Sequence, residues 1–431
     1  MVLSGGRPLT GEITVQGAKN SVSKCMVAAM LTAEPCILKN VPNIDDVHVV
    51  SDMIRALGGS VEQLQPGTIR ITAAEIKEIA PTELKSIAGR SRIPILFAGP
   101  LLARLGHAMV PELGGCKIGP RPVDFHLSAL EHLGATIERV PKGFVMRRDH
   151  MIGNRIQLPY PSVGATEQIL FAATLAEGVT EISHAAVEPE IIDLIALLQK
   201  MGAIISVDTD RTITIVGVPA LKGYDHTVMP DRLEAASWAC AAIATNGSIK
   251  VRNARQLDMT TFLNKFQQIG GAFAKHDDGI TFSRGRELTS IAIETDVHPG
   301  FMTDWQQPFV VALTQAHGAS VVHETVYENR FGFTDALRRM GANIQLYREC
   351  LGGKQCRFGQ RNHMHSAIIM GPTPLIGSRI AIPDLRAGFS YVVAALTASG
   401  ETTIEHMEII GRGYERFSEK LKALGAIVVR E

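Results

Sequence analysis

Cys116 is the residue of this sequence whose surroundings best suit chemistry. It stands in PELGGCKIGPRPVD, where Pro111, Gly114, Gly115, Gly119, Pro120 and Pro122 forbid a continuous helix or a central strand, so the segment is a loop. Lys117 and Arg121 beside it favour the thiolate, the form that attacks electrophiles. Cys25, Cys36 and Cys240 lie in apolar runs and read as small buried hydrophobes. Cations are the second group: Lys19 in GAKN, Arg92, Arg121, Arg330 in ENRF, Arg386 in DLRAG and Arg412 in RGYER. Arginine can hold a carboxylate or phosphate through two parallel hydrogen bonds, and lysine neutralises one as a point charge. Taken singly, each is more often a solvated surface charge. Asp304 closes HPGFMTD, just before a helix expected to begin near Trp305. A carboxylate there is ordinarily a helix cap, and within hydrogen-bond reach of a hydroxyl it is a general base.

The elements that must position these groups recur along the chain. A helix-like stretch ending in a Gly-Gly or Gly-Ala pair and followed by a β-prone run occurs six times, with its first glycine at Gly58, Gly134, Gly202, Gly270, Gly341 and Gly425. The intervals of 76, 68, 68, 71 and 84 residues define a unit of roughly 70 residues. Each unit also holds an Ala-rich helical run that stops at a glycine or polar turn before another strand, such as AATLAEGVTEI and AAIATNGSIKV. Alternation of this kind buries a helix against a sheet, so six copies predict an α/β protein in two three-unit domains.

Bulk properties narrow the partners. At 431 residues the chain exceeds one small domain, and 43 Lys plus Arg against 43 Asp plus Glu leaves no global positive field for nucleic acid. The N-terminal MVLSGGRPLTGEITVQG lacks the pattern of a secretion signal, and no apolar run is long enough to span a membrane. A cytoplasmic enzyme with free thiols, and with no nucleic-acid, membrane or protein partner, is expected.

Seven segments in order carry a resemblance: GAKN at Gly17, GGCKIGPRPVDFH at Gly114, PSVGAT at Pro161, HPGFMTD at His298, ENRF at Glu328, DLRAG at Asp384 and RGYER at Arg412. On these the chain resembles the UDP-N-acetylglucosamine 1-carboxyvinyltransferase family, a branch of the enolpyruvyl transferase superfamily, over essentially its whole length. The resemblance implies a two-domain inside-out α/β barrel built from six βαβαββ-like repeats, three per domain. One domain, at 20–229, would carry the Cys116 lid loop; the other would take 1–19 and 230–431, with crossings near Lys19 and Pro230 as the hinge and the active site between the domains. It implies phosphoenolpyruvate and UDP-N-acetylglucosamine as substrates, with no cofactor and no metal.

Roles follow from the same likeness. Lys19, Arg121 and Arg412 would bind the phosphate and carboxylate of phosphoenolpyruvate, with Asn20 beside the phosphate and Arg92 and Arg386 nearby. Cys116 would deliver a proton to the methylene carbon and be the target of the epoxide fosfomycin. Asp304 would contact the sugar 3-hydroxyl as the base. Arg121, Pro122, Val123, Asp124 and Phe125 would face uracil, and Ser162, Val163 and Gly164 would place amides near the diphosphate. Val326 and Arg330 would flank the sugar, with Glu328 orienting Arg330 or another cation. Tyr160 departs from relatives that carry Lys there, its ring being able to pack on base or ribose, and Ile409 and Gly411 replace the His and Asp that usually precede Arg412. Cys350, Cys356, His363 and His365 fall in a long segment whose C-x5-C spacing is not that of a zinc knuckle, which reads as a polar loop. An enolpyruvyl transferase with another nucleotide acceptor, a shikimate-type enzyme, a non-catalytic UDP-sugar binder and an RNA-cyclase relative are the competing readings. Lys19, Cys116, Asp304, Arg386 and Arg412 together disfavour the last two.

Overall fold

The glycines of the repeated motif show why the motif recurs. Every one has positive φ: Gly58 at 93°, Gly134 at 100°, Gly202 at 101°, Gly270 at 121°, Gly341 at 103° and Gly425 at 81°. Each glycine amide donates to the carbonyl three residues back, and the amides of Gly59, Ala203, Ala342 and Ala426 reach the carbonyl five residues back at 2.9–3.0 Å. This is a helix terminator that ties off the last carbonyls and aims the chain into a strand, at a backbone angle that side chains resist.

The structure is a computed structural model that describes the chain apart from residues 80–85, 88, 90, 112, 114–122, 142, 355, 357, 359–361 and 431. Cys116, Lys117, Arg121 and Pro122 lie outside the described residues. The chain divides into two compact units, one taking Met1–Gln16 and Pro230–Glu431, the other drawn from 17–229.

Five four-stranded sheets share one pattern, a parallel pair at one side followed by two antiparallel pairings. In the first unit Thr10–Thr14 runs parallel to Ser248–Arg252, Ala292–Glu294 parallel to Gly318–His323, and Arg379–Ala381 parallel to Glu401–Glu405. Val2–Ser4 lies between Glu401–Glu405 and Ile427–Arg430, so the start of the chain completes a sheet made by its end. In the second unit Asp225–Thr227 returns to pair with Cys36–Lys39, and Arg155–Gln157 pairs with Val179–Ser183. The sixth sheet has three strands among the described residues, His107–Pro111, Gly143–Arg148 and Ala135–Val140. Alternation sets the register: in Ser248–Arg252, Ile249 and Val251 are buried while Ser248 and Arg252 face out.

The Ala-rich runs form helices buried on all sides, as their lack of a polar face requires. Arg232–Ala244 is buried at every position. Thr303–Leu313 is buried except at Asp304, and Leu385–Thr397 except at Thr397. Lys19–Ala28 is buried except at Lys19 and Asn20, and Val163–Ala173 except at Val163 and Gly164. In four of these five helices, therefore, site candidates stand in the first turn, three of the four opening to solvent only there.

Candidate active site

In the first unit, the first turns of three buried helices meet. Asp304, in the first turn of Thr303–Leu313, places Oδ1 2.5 Å from Arg330 Nη2 and Oδ2 3.3 Å from Nε of Arg386, in the first turn of Leu385–Thr397. Arg386 Nη1 donates to the Tyr414 hydroxyl at 2.8 Å, and its guanidinium lies 5.5 Å from the centre of that ring. The Arg232 guanidinium, at the start of the third helix, lies 5.4 Å from the Trp305 ring. Two carboxylates cap these helices: Asp384 accepts the Arg386 and Ala387 amides at 3.0 and 3.1 Å, and Asp231 accepts those of Leu233 and Glu234 at 2.8 and 3.0 Å. Helix N-termini carry partial positive charge, so the site joins two guanidiniums and the positive ends of the helices to the carboxylates of Asp304, Asp384 and Asp231.

Helix Thr303–Leu313 begins two residues before the expected start, with Met302 as its cap residue, and the Asp304 carboxylate bonds to arginines, unlike a cap. Burial pulls the Arg386 guanidinium down, but Tyr414, Asp304 and Asp231 outweigh it and hold it above its ordinary range. Burial likewise opposes the charge of Arg330, and Asp304, Asp384 and Glu324 more than restore it. The Arg330 ion pair is with Asp304, whereas the resemblance offered Glu328 as a partner for Arg330 or another cation. Glu324 is the anchor of the loop between them. Its carboxylate accepts the amides of Val326 and Tyr327 at 2.8 and 3.0 Å and the Thr303 hydroxyl at 2.9 Å, tying the segment that carries Val326 and Arg330 to the helix that carries Asp304. Burial pushes the Glu324 carboxyl up, with Arg330 opposing. Arg412, half-buried, ends the Glu408–Gly411 helix, two residues before Tyr414.

In the second unit, Lys19 opens Lys19–Ala28 and forms an ion pair with Asp46, a buried carboxylate at the start of Asp45–Ala56. The Asn20 carbonyl accepts from Lys24 Nζ at 2.7 Å, and Lys24 lies 3.7 Å from Glu167. Arg92 precedes the Ile93–Phe97 turn that leads into Ala98–Leu105. Ser162 caps Val163–Ala173, its hydroxyl accepting the Ala165 amide at 3.3 Å. A Cβ at Gly164 would come within 2.8 Å of the His126 ring, which lies directly over the glycine. This packs Asp124–His132, with Asp124 exposed and Phe125 half-buried in its first turn, against the start of Val163–Ala173. Val123 precedes it, and Tyr160 is half-buried.

Four groups escaped the sequence reading: Tyr414, Glu324, Asp46 and Arg232. Tyr414 lies within RGYER, so its motif was in view but its role depends on meeting Arg386. Glu324 and Asp46 carry no local signal beyond being acids in apolar surroundings.

A family model described as EPSP synthase (3-phosphoshikimate 1-carboxyvinyltransferase) matches residues 3–421. A protein of Protochlamydia amoebophila named UDP-N-acetylglucosamine 1-carboxyvinyltransferase is 51% identical, over 99% of this chain and 93% of that protein. One of the same name from Gluconobacter oxydans is 42% identical, over 100% of this chain and 98% of that protein. Among solved structures, the enolpyruvyl transferase NikO from Streptomyces tendae shares the fold, with a TM-score of 0.87 at 21% identity over 99% of this chain and 97% of that one.

Proposed function

The chain belongs to the UDP-N-acetylglucosamine 1-carboxyvinyltransferase family of enolpyruvyl transferases, and from that premise we propose that it moves the enolpyruvyl group of phosphoenolpyruvate onto the 3-hydroxyl of UDP-N-acetylglucosamine, releasing phosphate. The observation that supports this reading best is Asp304 held between Arg330 and Arg386 at the one unburied position of its helix. Two guanidiniums fix the carboxylate, and each carboxylate oxygen keeps a lone pair for a further donor, here the sugar hydroxyl.

The reaction is addition then elimination. As the sugar oxygen bonds to C2 of phosphoenolpyruvate, Asp304 takes the hydroxyl proton and Cys116 gives one to the methylene carbon. The resulting tetrahedral ketal then returns a methyl proton to the Cys116 thiolate and expels phosphate to restore the double bond. Lys19, Asn20, Arg121, Arg386 and Arg412 hold the phosphate and carboxylate, countering charge where it develops. Ser162, Val163 and Gly164 supply helix-start amides to the diphosphate. Arg92, Arg121, Pro122, Val123, Asp124, Phe125 and Tyr160 receive the nucleotide, and Val326 and Arg330 the sugar. The product is a peptidoglycan precursor, which places the chain in the cytoplasm and in cell-wall growth, shape and division. No helix among the described residues is long and apolar enough to cross a membrane.

Phosphate release from phosphoenolpyruvate, compared across UDP-N-acetylglucosamine, UDP-glucose, UDP and shikimate 3-phosphate, tests the reading. Release is expected with the first alone; turnover of another acceptor in its place would sink it. Asp304→Asn should lower kcat by about 100-fold or more with an unchanged far-ultraviolet spectrum. Fosfomycin should label Cys116, and a label elsewhere in the peptide map removes the thiol from its role.

A further inference from the structure

The long connection between Asn343–Tyr347 and Ser366–Gly371 carries Cys350, Cys356 and His365, and folds back on the end of Gly318–His323. There His323, Cys350, Cys356 and His365 each offer one nitrogen or sulfur within 4.8 Å of all the others. Cys350 Sγ lies 3.5 Å from Cys356 Sγ and 3.4 Å from His365 Nε2. These are the edge lengths of a tetrahedron around zinc, about 3.3–3.8 Å for metal–sulfur and metal–nitrogen bonds near 2.3 and 2.0 Å. Neither cysteine is in a disulfide, and both histidines are buried.

The imidazoles are already turned. His323 Nδ1 faces Glu294 Oε1 at 3.0 Å, and His365 Nδ1 faces the His363 carbonyl at 2.9 Å, which leaves Nε2 of each ring as the nitrogen for a metal. An imidazole held on its far nitrogen by a carboxylate or carbonyl is how metal-binding histidines are oriented. His323 is 0% exposed, and among the described residues its Nε2 has no hydrogen-bond partner. A buried polar atom left that way costs about 1–3 kcal/mol, which a bound cation would remove. Glu294 also accepts the Lys354 amide at 2.8 Å, and the Ser366 hydroxyl accepts the Leu351 amide at 3.2 Å, so the loop is fastened at two points between Cys350 and Cys356.

We propose that His323, Cys350, Cys356 and His365 form a structural Cys2His2 zinc site, in which two thiolates and two neutral imidazoles neutralise one Zn2+. The four ligands close the tetrahedron and leave no position for substrate, so the ion is structural. The spacing of Cys350, Cys356, His363 and His365 alone pointed to an incidental polar loop; the fold exchanges His363 for His323, which lies 27 residues before Cys350. The site backs onto the acceptor loop, because the Glu324 amide donates to the His365 carbonyl at 2.7 Å while the Glu324 side chain holds Val326 and Tyr327. The ion would therefore stiffen the loop that presents Val326 and Arg330.

The full-length chain, loaded with Zn2+ under reducing conditions and desalted, should retain about one zinc per chain by elemental analysis. Loaded with Co2+ instead, it should show thiolate charge-transfer absorption and the visible bands of a tetrahedral site. His323→Ala and Cys350→Ser should lose these bands and His363→Ala should keep them. Glu294→Gln should bind zinc about 10–100-fold more weakly. A chelator should lower the melting temperature of the unmodified chain, and added zinc should restore it. No retained zinc and no cobalt bands in the unmodified chain would overturn the site. So would bands that survive His323→Ala but vanish in His363→Ala, or a Cys350–Cys356 disulfide in chain isolated without oxidant.

Discussion

Glu167 is fully buried beside Lys24, and burial pushes its carboxyl up to about 7 from an ordinary 4.5, Lys24 opposing and Glu190 and Glu188 adding to the rise. The folded chain therefore holds this proton more tightly than the unfolded one. Its contribution to stability is fully present below about 4.5 and is lost as pH rises through about 7. Between pH 5 and 8 the unmodified chain should lose about 2 kcal/mol more stability than Glu167→Gln, read from denaturant unfolding at both pH values. Equal losses would mean that Lys24 keeps the carboxylate charged throughout. The same scale shows where residue types mislead: Asp304 looks like a cap and is an arginine partner, while Asp384 and Asp231 are the caps.

At the scale of elements, the repeated glycine is where local sequence dictates local structure most directly. A Cβ at Gly202 meets nothing within 4 Å, so Gly202→Ala isolates the backbone strain at φ 101° and should cost about 1–2 kcal/mol. Gly58→Ala adds a contact with the Glu75 carbonyl at 2.8 Å and should cost more. Urea unfolding of both variants checks the order, and equal costs would show that the Gly58 turn shifts to relieve the contact. The buried helices explain why the candidate site was legible at all. A helix surrounded by apolar neighbours can expose polar groups only at its ends, so Lys19, Asn20, Val163, Gly164 and Asp304 stand at helix starts. Arg232 occupies the corresponding place on its helix and was overlooked because it is buried against Trp305 with no motif to mark it.

For the whole molecule, the decisive feature is that neighbours in a sheet are distant in the chain. Val2–Ser4 separates Glu401–Glu405 from Ile427–Arg430, and Leu3 is 0% exposed there. Both tryptophans, Trp238 and Trp305, belong to that same unit, so tryptophan fluorescence reports on it while far-ultraviolet dichroism reports on both units. Deleting residues 1–4 should move the fluorescence transition to lower denaturant and split it from the dichroism transition. A single coincident transition would show that the two units unfold together.

The sequence by itself determined the repeat, its six terminators and its Ala-rich helical runs, because backbone angle and apolar periodicity act over a few neighbouring residues. Only the tertiary structure decided which acid meets which base: Arg330 with Asp304, Lys19 with Asp46, and Cys350 with His323 and not His363. Those partners lie 26 or 27 residues apart along the chain, and strand register and helix packing bring them within reach. A side chain's partner is set by where the backbone returns, and no window of neighbouring residues contains that information.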